Sequence, residues 1–251
     1  MNIQDIVAIA KKAGEKILDI YENEDFSKTI DFKSDDSPLT IADKAAHIII
    51  AGALEELTPE IPVMSEEGRE ILFEERKDWK KFWCVDPLDG TKEFIKKNGQ
   101  FTVNIALIEN GYPTLGVIYT PVTDTTYYGD SNGAFMIVGS EKTPIKVNNK
   151  ADNRIAVKSA SHSTSSDDEL LAKYKANDAI SVGSSLKFCM VACGKADIYY
   201  RHGPTMEWDT AAGQAVLEAS GGTVSTLEDK RFFYNKEVLR NNSFLCLGFD
   251  K

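Results

Sequence analysis

The sequence has few cysteines and histidines and no long uninterrupted apolar run. Four cysteines and three histidines occur in 251 residues. Four thiols in apolar surroundings do not make the disulfide framework of a small secreted protein, so we expect them to be reduced and mostly buried. Because no apolar run approaches the roughly 20 residues that span a bilayer, no integral membrane segment is predicted.

The scarcity of histidine also limits zinc chemistry. Cys189 and Cys193 could share one face of a helix as a metal pair, but no further cysteine or histidine stands at zinc spacing. Burial in the core is therefore the favoured interpretation of both thiols.

The amino terminus shows a helical apolar period that charged residues interrupt. Apolar residues recur through residues 3–18, and lysines and acids break the run. This is not the pattern of a cleaved signal peptide, so we expect a cytoplasmic protein. Peripheral attachment at the inner membrane face stays open as an alternative.

Positive charge is in short supply. The chain has 29 lysines and arginines against 39 aspartates and glutamates, a formal net charge of -10. This charge argues against nucleic acid as a partner held by a broad basic surface, because the phosphate backbone would be repelled at long range. A small anionic substrate remains compatible if cations offset the repulsion locally.

Helical and strand patterns alternate along the whole chain. Hydrophobic residues make up 42% of it, enough for one large core or two compact halves. Helices are predicted at 3–21, 42–57 and 184–194, and strands over FTVNIALI, TLGVIYT and RIAVK. The composition and pattern predict a mixed α/β protein.

The middle of the chain carries turn signals that favour antiparallel pairing. Two Asn-Gly pairs between residues 101 and 135 predict hairpins rather than a purely parallel sheet. The polar stretch 139–153 is the predicted seam between two halves. We expect an α+β half with a metal site at 1–150 and an α/β half with substrate contacts at 151–251.

Three acidic motifs lie where a strand should end or a helix should begin. They are Glu66-Glu67 after IPVM, DPLDGT at 86–91 after KFWCV, and EWDT at 207–210 before a predicted helix. Side chains at such positions can converge without disturbing the core. Carboxylates with a backbone carbonyl are the hard oxygen ligands that magnesium prefers.

The DPLDGT motif combines two aspartates with a restrained turn and a helix start. Pro87 fixes its own φ, so Asp86 and Asp89 could bind two ions from opposite sides of one turn. Two metals about 3.5–4 Å apart can activate a water and stabilise a leaving oxygen. Gly90 and Thr91 then open a short predicted helix whose free N–H groups can hold phosphate oxygens.

Local sequence also leaves a structural explanation open for each motif. Pro-Leu-Asp-Gly forms a β-turn by itself, Asp209 suits a helix N-terminus, and Glu66-Glu67 could be a solvated acidic pair. Asp43 follows Thr-Ile-Ala as in a capping box. Lys187 could pack its stem on the core while its ammonium reaches solvent.

Together the motifs resemble the lithium-sensitive, magnesium-dependent phosphatases of the inositol monophosphatase superfamily, which includes fructose-1,6-bisphosphatase. The order Asp43, Glu66-Glu67, DPLDGT and WDTAAG matches that superfamily over most of the chain. Four segments resemble those of its bacterial 3'(2'),5'-bisphosphate nucleotidases. They are KSDDSPLTIAD, DPLDGTKEF, SASH and GSSLKFCMVACGKADIYYRHGPTMEWDTAAG. The resemblance implies a layered αβαβα sandwich.

The resemblance also implies roles for individual residues. Two or three Mg²⁺ ions would be bound by Glu66, Asp86, the Leu88 carbonyl, Asp89 and Asp209. Asp43 and Thr91 would accept the proton of a metal-bound water, with Glu66 as a third catalytic residue. Substrate contacts would come from Gly90, Thr91, Ser159, His162, Gly183, Lys187 and Asp209.

The activity that follows from the resemblance is hydrolysis of adenosine 3',5'-bisphosphate to AMP and phosphate by in-line attack of water. No covalent phosphoenzyme is expected, since Ser65 has no histidine nearby in the sequence and Cys84 falls inside a predicted strand. We expect a monomer or a homodimer that lithium inhibits.

Two other functions stay open. One is a phosphatase of the same superfamily that acts on inositol monophosphate or a sugar bisphosphate. The other is a catalytically silent metal or nucleotide sensor, which would be expected to lack Asp43 or Thr91, whereas both are present.

Overall fold

Helices are present at the three ranges where the apolar periods predict them, 3–21, 42–57 and 184–194. The structure is a computed structural model that describes residues 2–23, 31–32, 38–39, 41–159 and 172–250. Its α-helices are α1 (Ile3–Asn23), α2 (Ile41–Leu57), α3 (Phe73–Arg76), α4 (Thr91–Ile95), α5 (Leu186–Ala192) and α6 (Glu207–Ala219). Among the described residues, no helix combines the length and apolar character needed to cross a membrane.

The strands fall into two large sheets and two short hairpin-like pairs. In chain order they are β1 (Asp31–Phe32), β2 (Pro38–Leu39), β3 (Val63–Ser65), β4 (Lys81–Asp89), β5 (Thr102–Glu109), β6 (Tyr112–Thr120), β7 (Thr125–Asp130), β8 (Gly133–Val138), β9 (Glu141–Ile145), β10 (Arg154–Ser159), β11 (Ala176–Val182), β12 (Ile198–Arg201), β13 (Thr205–Met206), β14 (Thr223–Thr226), β15 (Arg240–Asn241) and β16 (Phe244–Leu247). The strands predicted over FTVNIALI, TLGVIYT and RIAVK are all confirmed.

The first large sheet is a meander that begins with one parallel pair. Its order is β3-β4-β5-β6-β7-β8-β9, and every neighbouring pair except β3–β4 is antiparallel. The predicted hairpins are therefore confirmed. Asn110 and Gly111 both have positive φ, 52° and 81°, which is the backbone that a tight two-residue hairpin turn requires.

Helices cover both faces of this sheet, which explains why its strands are apolar at nearly every position. On β5, Val103 and Ile105 pack in the same cluster as α1 and α2, whereas Ala106 and Ile108 pack in the cluster that contains α6. Strand side chains alternate between faces, so two covered faces produce a continuous apolar run.

The second large sheet has the order β11-β10-β12-β16-β14. One core cluster contains Phe188 of α5, Val216 of α6, Ile118 of the first sheet and Tyr199 and Phe244 of the second. Helices α5 and α6 thus lie between the two sheets. The layers run α1 with α2, first sheet, α5 with α6, second sheet, which agrees with the predicted mixed α/β sandwich.

The outer face of the second sheet carries its own apolar cluster. Ile198, Leu247 and Phe249 belong to it, and Tyr174 packs against it. The sequence also predicts a helix over DDELLAKY, residues 167–174, and most of that range lies outside the described residues.

Two predicted helices are shorter than expected. The helix predicted at 184–194 spans 186–192, because Ser184 has a φ of 47° before it and Gly194 a φ of 70° after it. The helix predicted from Thr91 to Lys97 ends at Ile95, and Lys97 has a left-handed φ of 53°. A left-handed residue cannot continue a right-handed helix.

The cysteines are free thiols, and Cys84, Cys189 and Cys246 are buried. Cys84 lies in β4, as predicted. Cys189 is completely buried in the core cluster between the sheets, which agrees with the core interpretation of the Cys189 and Cys193 pair.

Helix α6 lies so close to β6 and β7 that only glycine fits beneath it. A Cβ atom on Gly116 would lie 2.6 Å from the Ala212 carbonyl oxygen, and one on Gly129 would lie 2.8 Å from Ala219 Cβ. These contacts set how closely the middle and the carboxyl-terminal end of α6 lie to the first sheet.

We expect Gly116→Ala to lower the free energy of unfolding by roughly 1–3 kcal/mol, because the added methyl group overpacks the interface. Urea unfolding of the purified variant measures this. Gly52→Ala in α2 is the control, since nothing lies within 4 Å of that position, and it should gain about 0.5–1 kcal/mol. Equal stability of the two variants would contradict the tight α6 contact.

Candidate active site

An irregularity in β4 brings two aspartates to one face of the sheet. Asp86 pairs with Asn104 and Asp89 pairs with Thr102, so the Pro-Leu pair between the aspartates opposes a single residue of β5. Residues three apart in a regular strand point to opposite faces. The extra residue of this bulge restores the same face, towards α6.

Two further acids reach Asp86 from distant parts of the chain. Glu66 follows β3, and its N–H donates to the Val85 carbonyl oxygen at 3.1 Å, which holds it beside β4. Asp209 lies in the first turn of α6. Carboxylate oxygens of Glu66, Asp86 and Asp209 all lie within 4.8 Å of one another. The structure therefore brings together three of the acids that the sequence predicted to converge.

Asp209 also has the capping role that local sequence left open. Its Oδ2 accepts a hydrogen bond from the backbone N–H of Met206 at 2.9 Å, at the start of α6. The structural and functional explanations of this residue are thus compatible. The cap fixes the carboxylate at the helix end that faces the cluster.

Burial and mutual repulsion make the carboxyl groups of Asp86, Asp89 and Asp209 difficult to ionise. Burial is the main cause that raises the pKa of Asp86 well above its usual range, and the negative charge of Glu66 adds to it. Burial likewise raises the pKa of Asp209, with Asp89 as the next cause. The pKa of Asp89 is raised to about 6 by burial, against the lowering effect of Lys187.

A cation removes this electrostatic cost. The donors are carboxylate oxygens, with the Leu88 carbonyl at the same turn, and hard oxygen donors fit Mg²⁺ better than softer transition metals. The residues present therefore fit the magnesium that the sequence predicted.

Asp43 and Thr91, which the resemblance implies to be a proton-accepting pair, are in hydrogen-bond contact. Asp43 lies in the first turn of α2 and is 2% exposed. The Thr91 hydroxyl lies 3.2 Å from Asp43 Oδ1 and 3.4 Å from the Leu88 carbonyl oxygen, and it donates to these acceptors. Residue 40, the first residue of the capping box considered for Asp43, lies outside the described residues.

Gly90 permits the sharp entry into α4. Its φ is 96°, and a Cβ atom there would lie 3.0 Å from the Gln100 carbonyl oxygen and 3.2 Å from Ser184 Cβ. Glycine is therefore required both by the backbone and by the close approach of the neighbouring segments.

A cleft of about 340 Å³ contains most of the predicted site residues. Its lining includes Glu66, Asp86, Leu88, Asp89, Gly90, Thr91, Gly183, Lys187 and Asp209. Among the described residues, Asp43 does not line the cleft, but its Oδ1 accepts a hydrogen bond from the hydroxyl of Thr91, which does. Ser159 ends β10, and His162 lies outside the described residues.

The structure corrects the solvated interpretation of Lys187. This side chain is 6% exposed, and its Nζ donates to the Ser184 carbonyl oxygen at 2.5 Å and to the Val182 carbonyl oxygen at 3.5 Å. Burial lowers its pKa to about 8, partly offset by the charge of Asp89. Lys187 is thus held inside the cleft rather than in bulk solvent.

Sequence reasoning did not single out Arg201. It ends β12 and lines the cleft, and its Nε is buried without a hydrogen-bond partner among the described residues. The available signal was the local excess of basic residues over residues 181–206, which includes Arg201. The phenol of Tyr199, two residues earlier, also lines the cleft.

Spatial proximity also corrects one sequence argument. Ser65 has no histidine nearby in the sequence, but His47 Nδ1 lies 2.9 Å from its hydroxyl oxygen. His47 is one helical turn from Asp43 on α2, and Ser65 precedes Glu66. The contact therefore joins α2 to the strand end that carries one of the clustered acids.

Comparison with known proteins identifies the family. The family model described as the inositol monophosphatase family matches residues 3–245. The chain belongs to this family. Members of the family are metal-dependent phosphatases, typically with Mg²⁺, and the acidic cluster is a candidate metal centre in this chain.

Several relatives resemble the chain over nearly its whole length. The 3'(2'),5'-bisphosphate nucleotidase CysQ of Salmonella typhimurium is 44% identical over 249 residues, which is 98% of each chain. CysQ of Escherichia coli is 43% identical over the same length. The crystal structure of CysQ from Bacteroides thetaiotaomicron is 42% identical, covers 99% of this chain and 97% of its own, and has a TM-score of 0.87.

A more distant structure shows the same fold. The IMPase of Thermotoga maritima is 21% identical, covers 98% of this chain and 91% of its own, and has a TM-score of 0.79. The layered sandwich is thus shared across the family at low identity.

The clustered acids predict an unusual pH dependence of stability. The raised pKa of Asp86 means that the folded, metal-free protein holds a proton that the unfolded chain releases above about pH 4. The wild type should therefore lose stability relative to Asp86→Asn as the pH rises above about 4 without metal. Added Mg²⁺ should make the wild type more stable than Asp86→Asn near pH 7.5.

Unfolding temperatures between pH 4 and pH 8, with chelator or with Mg²⁺, check this prediction. Asn retains the oxygen that accepts the Leu88 N–H at 3.1 Å, so the variant changes mainly the charge. Glu56→Gln, on the exposed side of α2, is the matched control. A wild type that stays more stable than Asp86→Asn at pH 7.5 without metal would refute the expectation.

Proposed function

We propose that this chain is a magnesium-dependent 3'(2'),5'-bisphosphate nucleotidase that hydrolyses adenosine 3',5'-bisphosphate to AMP and phosphate. The likeness to CysQ over 98% of both chains is the observation that carries the proposal. The cleft adds support, because acidic and basic residues line it together. We call Glu66, Asp86, Asp89 and Asp209 the acidic wall, and Lys187 and Arg201 the basic wall.

The acidic wall would hold two or three Mg²⁺ ions. Glu66, Asp86, the Leu88 carbonyl, Asp89 and Asp209 are the proposed ligands, with Glu66 also acting in catalysis. When bound, the ions would neutralise phosphate charge and lower the pKa of a coordinated water. The raised pKa values of Asp86 and Asp209 support this assignment, since a nearby cation favours their ionised forms.

Thr91 and Asp43 are the proposed proton acceptors. The Thr91 hydroxyl donates its proton towards Asp43, so its lone pairs can accept a hydrogen bond from a water in the cleft. Proton transfer would then pass from that water to Thr91 and on to Asp43. The hydrogen bond between the Thr91 hydroxyl and the buried Asp43 carboxylate supports this route.

The basic wall is proposed to bind the second phosphate group of the substrate. Lys187 and Arg201 line the cleft together with the acids. The unpartnered Nε of Arg201 is a donor without an acceptor, as expected for a group that meets an anion of the substrate. Gly90, Thr91 and Gly183 are proposed contacts on the same cleft, and Ser159 and His162 remain proposals from the resemblance.

The alternative substrates receive less support. Structures of inositol monophosphatases resemble this chain at 21–25% identity, against 42% for the CysQ structure. A silent sensor would not need the intact contact between Thr91 and Asp43. We therefore favour the bisphosphate nucleotide over inositol monophosphate or a sugar bisphosphate.

Phosphate release from a panel of esters tests the proposal. With Mg²⁺, adenosine 3',5'-bisphosphate should give a kcat/KM well above that of inositol 1-phosphate and fructose 1,6-bisphosphate. Arg201→Met should raise the KM for the bisphosphate more than the KM for 3'-AMP, which lacks the second phosphate. Preference for inositol 1-phosphate would overturn the assignment.

Asp43→Asn should lower kcat by about 10²–10⁴-fold, because an amide keeps the shape of the Asp43 side chain but cannot take up the proton that Thr91 passes on. Steady-state rates at saturating Mg²⁺ measure the effect. Asp5→Asn on the exposed start of α1 is the control and should keep full activity. Near-normal turnover of Asp43→Asn would remove this residue from the mechanism.

A further inference from the structure

The segment that begins α5 is fastened to the first sheet by hydrogen bonds from buried polar groups. The Ser185 N–H donates to Asp89 Oδ2 at 2.5 Å, and the Ser185 hydroxyl lies 2.8 Å from the Thr102 hydroxyl. The same hydroxyl donates to Asn104 Oδ1 at 2.8 Å. We call Thr102, Asn104 and Ser185 the polar clasp; their exposures are 0%, 1% and 2%.

The clasp fixes the orientation of the Asn104 amide. Its Oδ1 accepts from the Ser185 hydroxyl at 2.8 Å and from the Thr102 hydroxyl at 3.2 Å, and its Nδ2 donates to Asp89 Oδ2 at 3.4 Å. The reversed amide would turn its oxygen towards the Asp89 carboxylate, and two acceptors would then face each other. The surroundings therefore select one orientation.

The two oxygens of Asp89 consequently have different environments. Oδ2 accepts N–H donors from Ser185 and Asn104. Asp89 does not belong to the set of three acids whose oxygens lie within 4.8 Å of one another. Its use as a ligand thus depends on how its carboxylate is rotated, and the clasp restrains that rotation.

We propose that Thr102, Asn104 and Ser185 are positioning residues that orient Asp89 for Mg²⁺ and tie the metal site to the substrate segment 183–187. The inference rests on the proposed function, because it assumes that Asp89 is a magnesium ligand. Partners that orient a metal ligand commonly change metal affinity by about 10–100-fold when removed.

The same segment carries Lys187, one of the two basic residues of the cleft, which explains why such a tie would matter. Gly183 donates its N–H to Gln100 Oε1 at 2.7 Å, so this amide is already used on the side of the first sheet. Lys187 follows Ser185 by two residues and is held by backbone carbonyls of the segment. A displacement of Asp89 would therefore also displace the residues of this segment that are proposed to contact the substrate.

A clasp with a purely structural role would stabilise the fold without changing the affinity for Mg²⁺, and this difference allows a test. Unfolding temperature is followed against Mg²⁺ concentration in the absence of substrate, so that metal binding is measured without activity. Asn104→Ala should raise the Mg²⁺ concentration for half-maximal stabilisation by about 10–100-fold. Steady-state kinetics should show kcat recovering at saturating Mg²⁺.

Two substitutions of Thr102 separate the effect of its hydroxyl group from the effect of its packing. Thr102→Val loses the hydroxyl and should shift the Mg²⁺ requirement in the same direction, whereas Thr102→Ser keeps the hydroxyl and should match the wild type. Thr120→Ala is the matched control: Thr120 is 3% exposed and lies in the same sheet, and its hydroxyl bonds Thr123 and Thr125. It should lower stability with an unchanged Mg²⁺ requirement.

An unchanged Mg²⁺ requirement in Asn104→Ala would overturn the proposal, whatever its stability. If that variant does not fold, equal behaviour of Thr102→Val and Thr102→Ser would overturn it instead. A wild type that Mg²⁺ stabilises but that releases no phosphate from adenosine 3',5'-bisphosphate would remove the proposed function alone. A wild type that Mg²⁺ does not stabilise would remove both.

Discussion

Carboxylates that lie close together and away from bulk water repel one another strongly, because their surroundings screen the charges poorly. In this chain they come from the segment after β3, from β4 and from the first turn of α6. Burial is the main cause that raises the pKa values of Asp86 and Asp209, and the neighbouring acids add to it. Such a group stays together only if the elements that carry it are rigidly packed. Seating α6 on the glycines of β6 and β7 meets that requirement.

The two sheets contribute opposite charges to one cleft. The first sheet and α6 supply the acids, α5 supplies Lys187, and β12 of the second sheet supplies Arg201. Neither wall is complete in one sheet, so the cleft depends on the shared core in which α5 and α6 are enclosed. This explains how a chain with a net charge of -10 can offer an anionic ester a favourable place to bind.

Much of this arrangement could be predicted from the sequence, because strand ends and helix starts are local features. The convergence of Glu66, Asp86 and Asp209 followed from their positions after strands or at a helix start. The burial of Lys187 and the contact between His47 and Ser65 could not be predicted. Both depend on which elements pack together, and no local period encodes that.

The bulge between Asp86 and Asp89 makes the length of β4 as important as its composition. The two aspartates share a face only because one residue of β4 lacks a partner on β5. Deleting a single residue there would turn one carboxylate to the side of α1 and α2, into the apolar cluster. No replacement of side chains could compensate, so this strand should tolerate changes of residue type far better than a change in its number of residues.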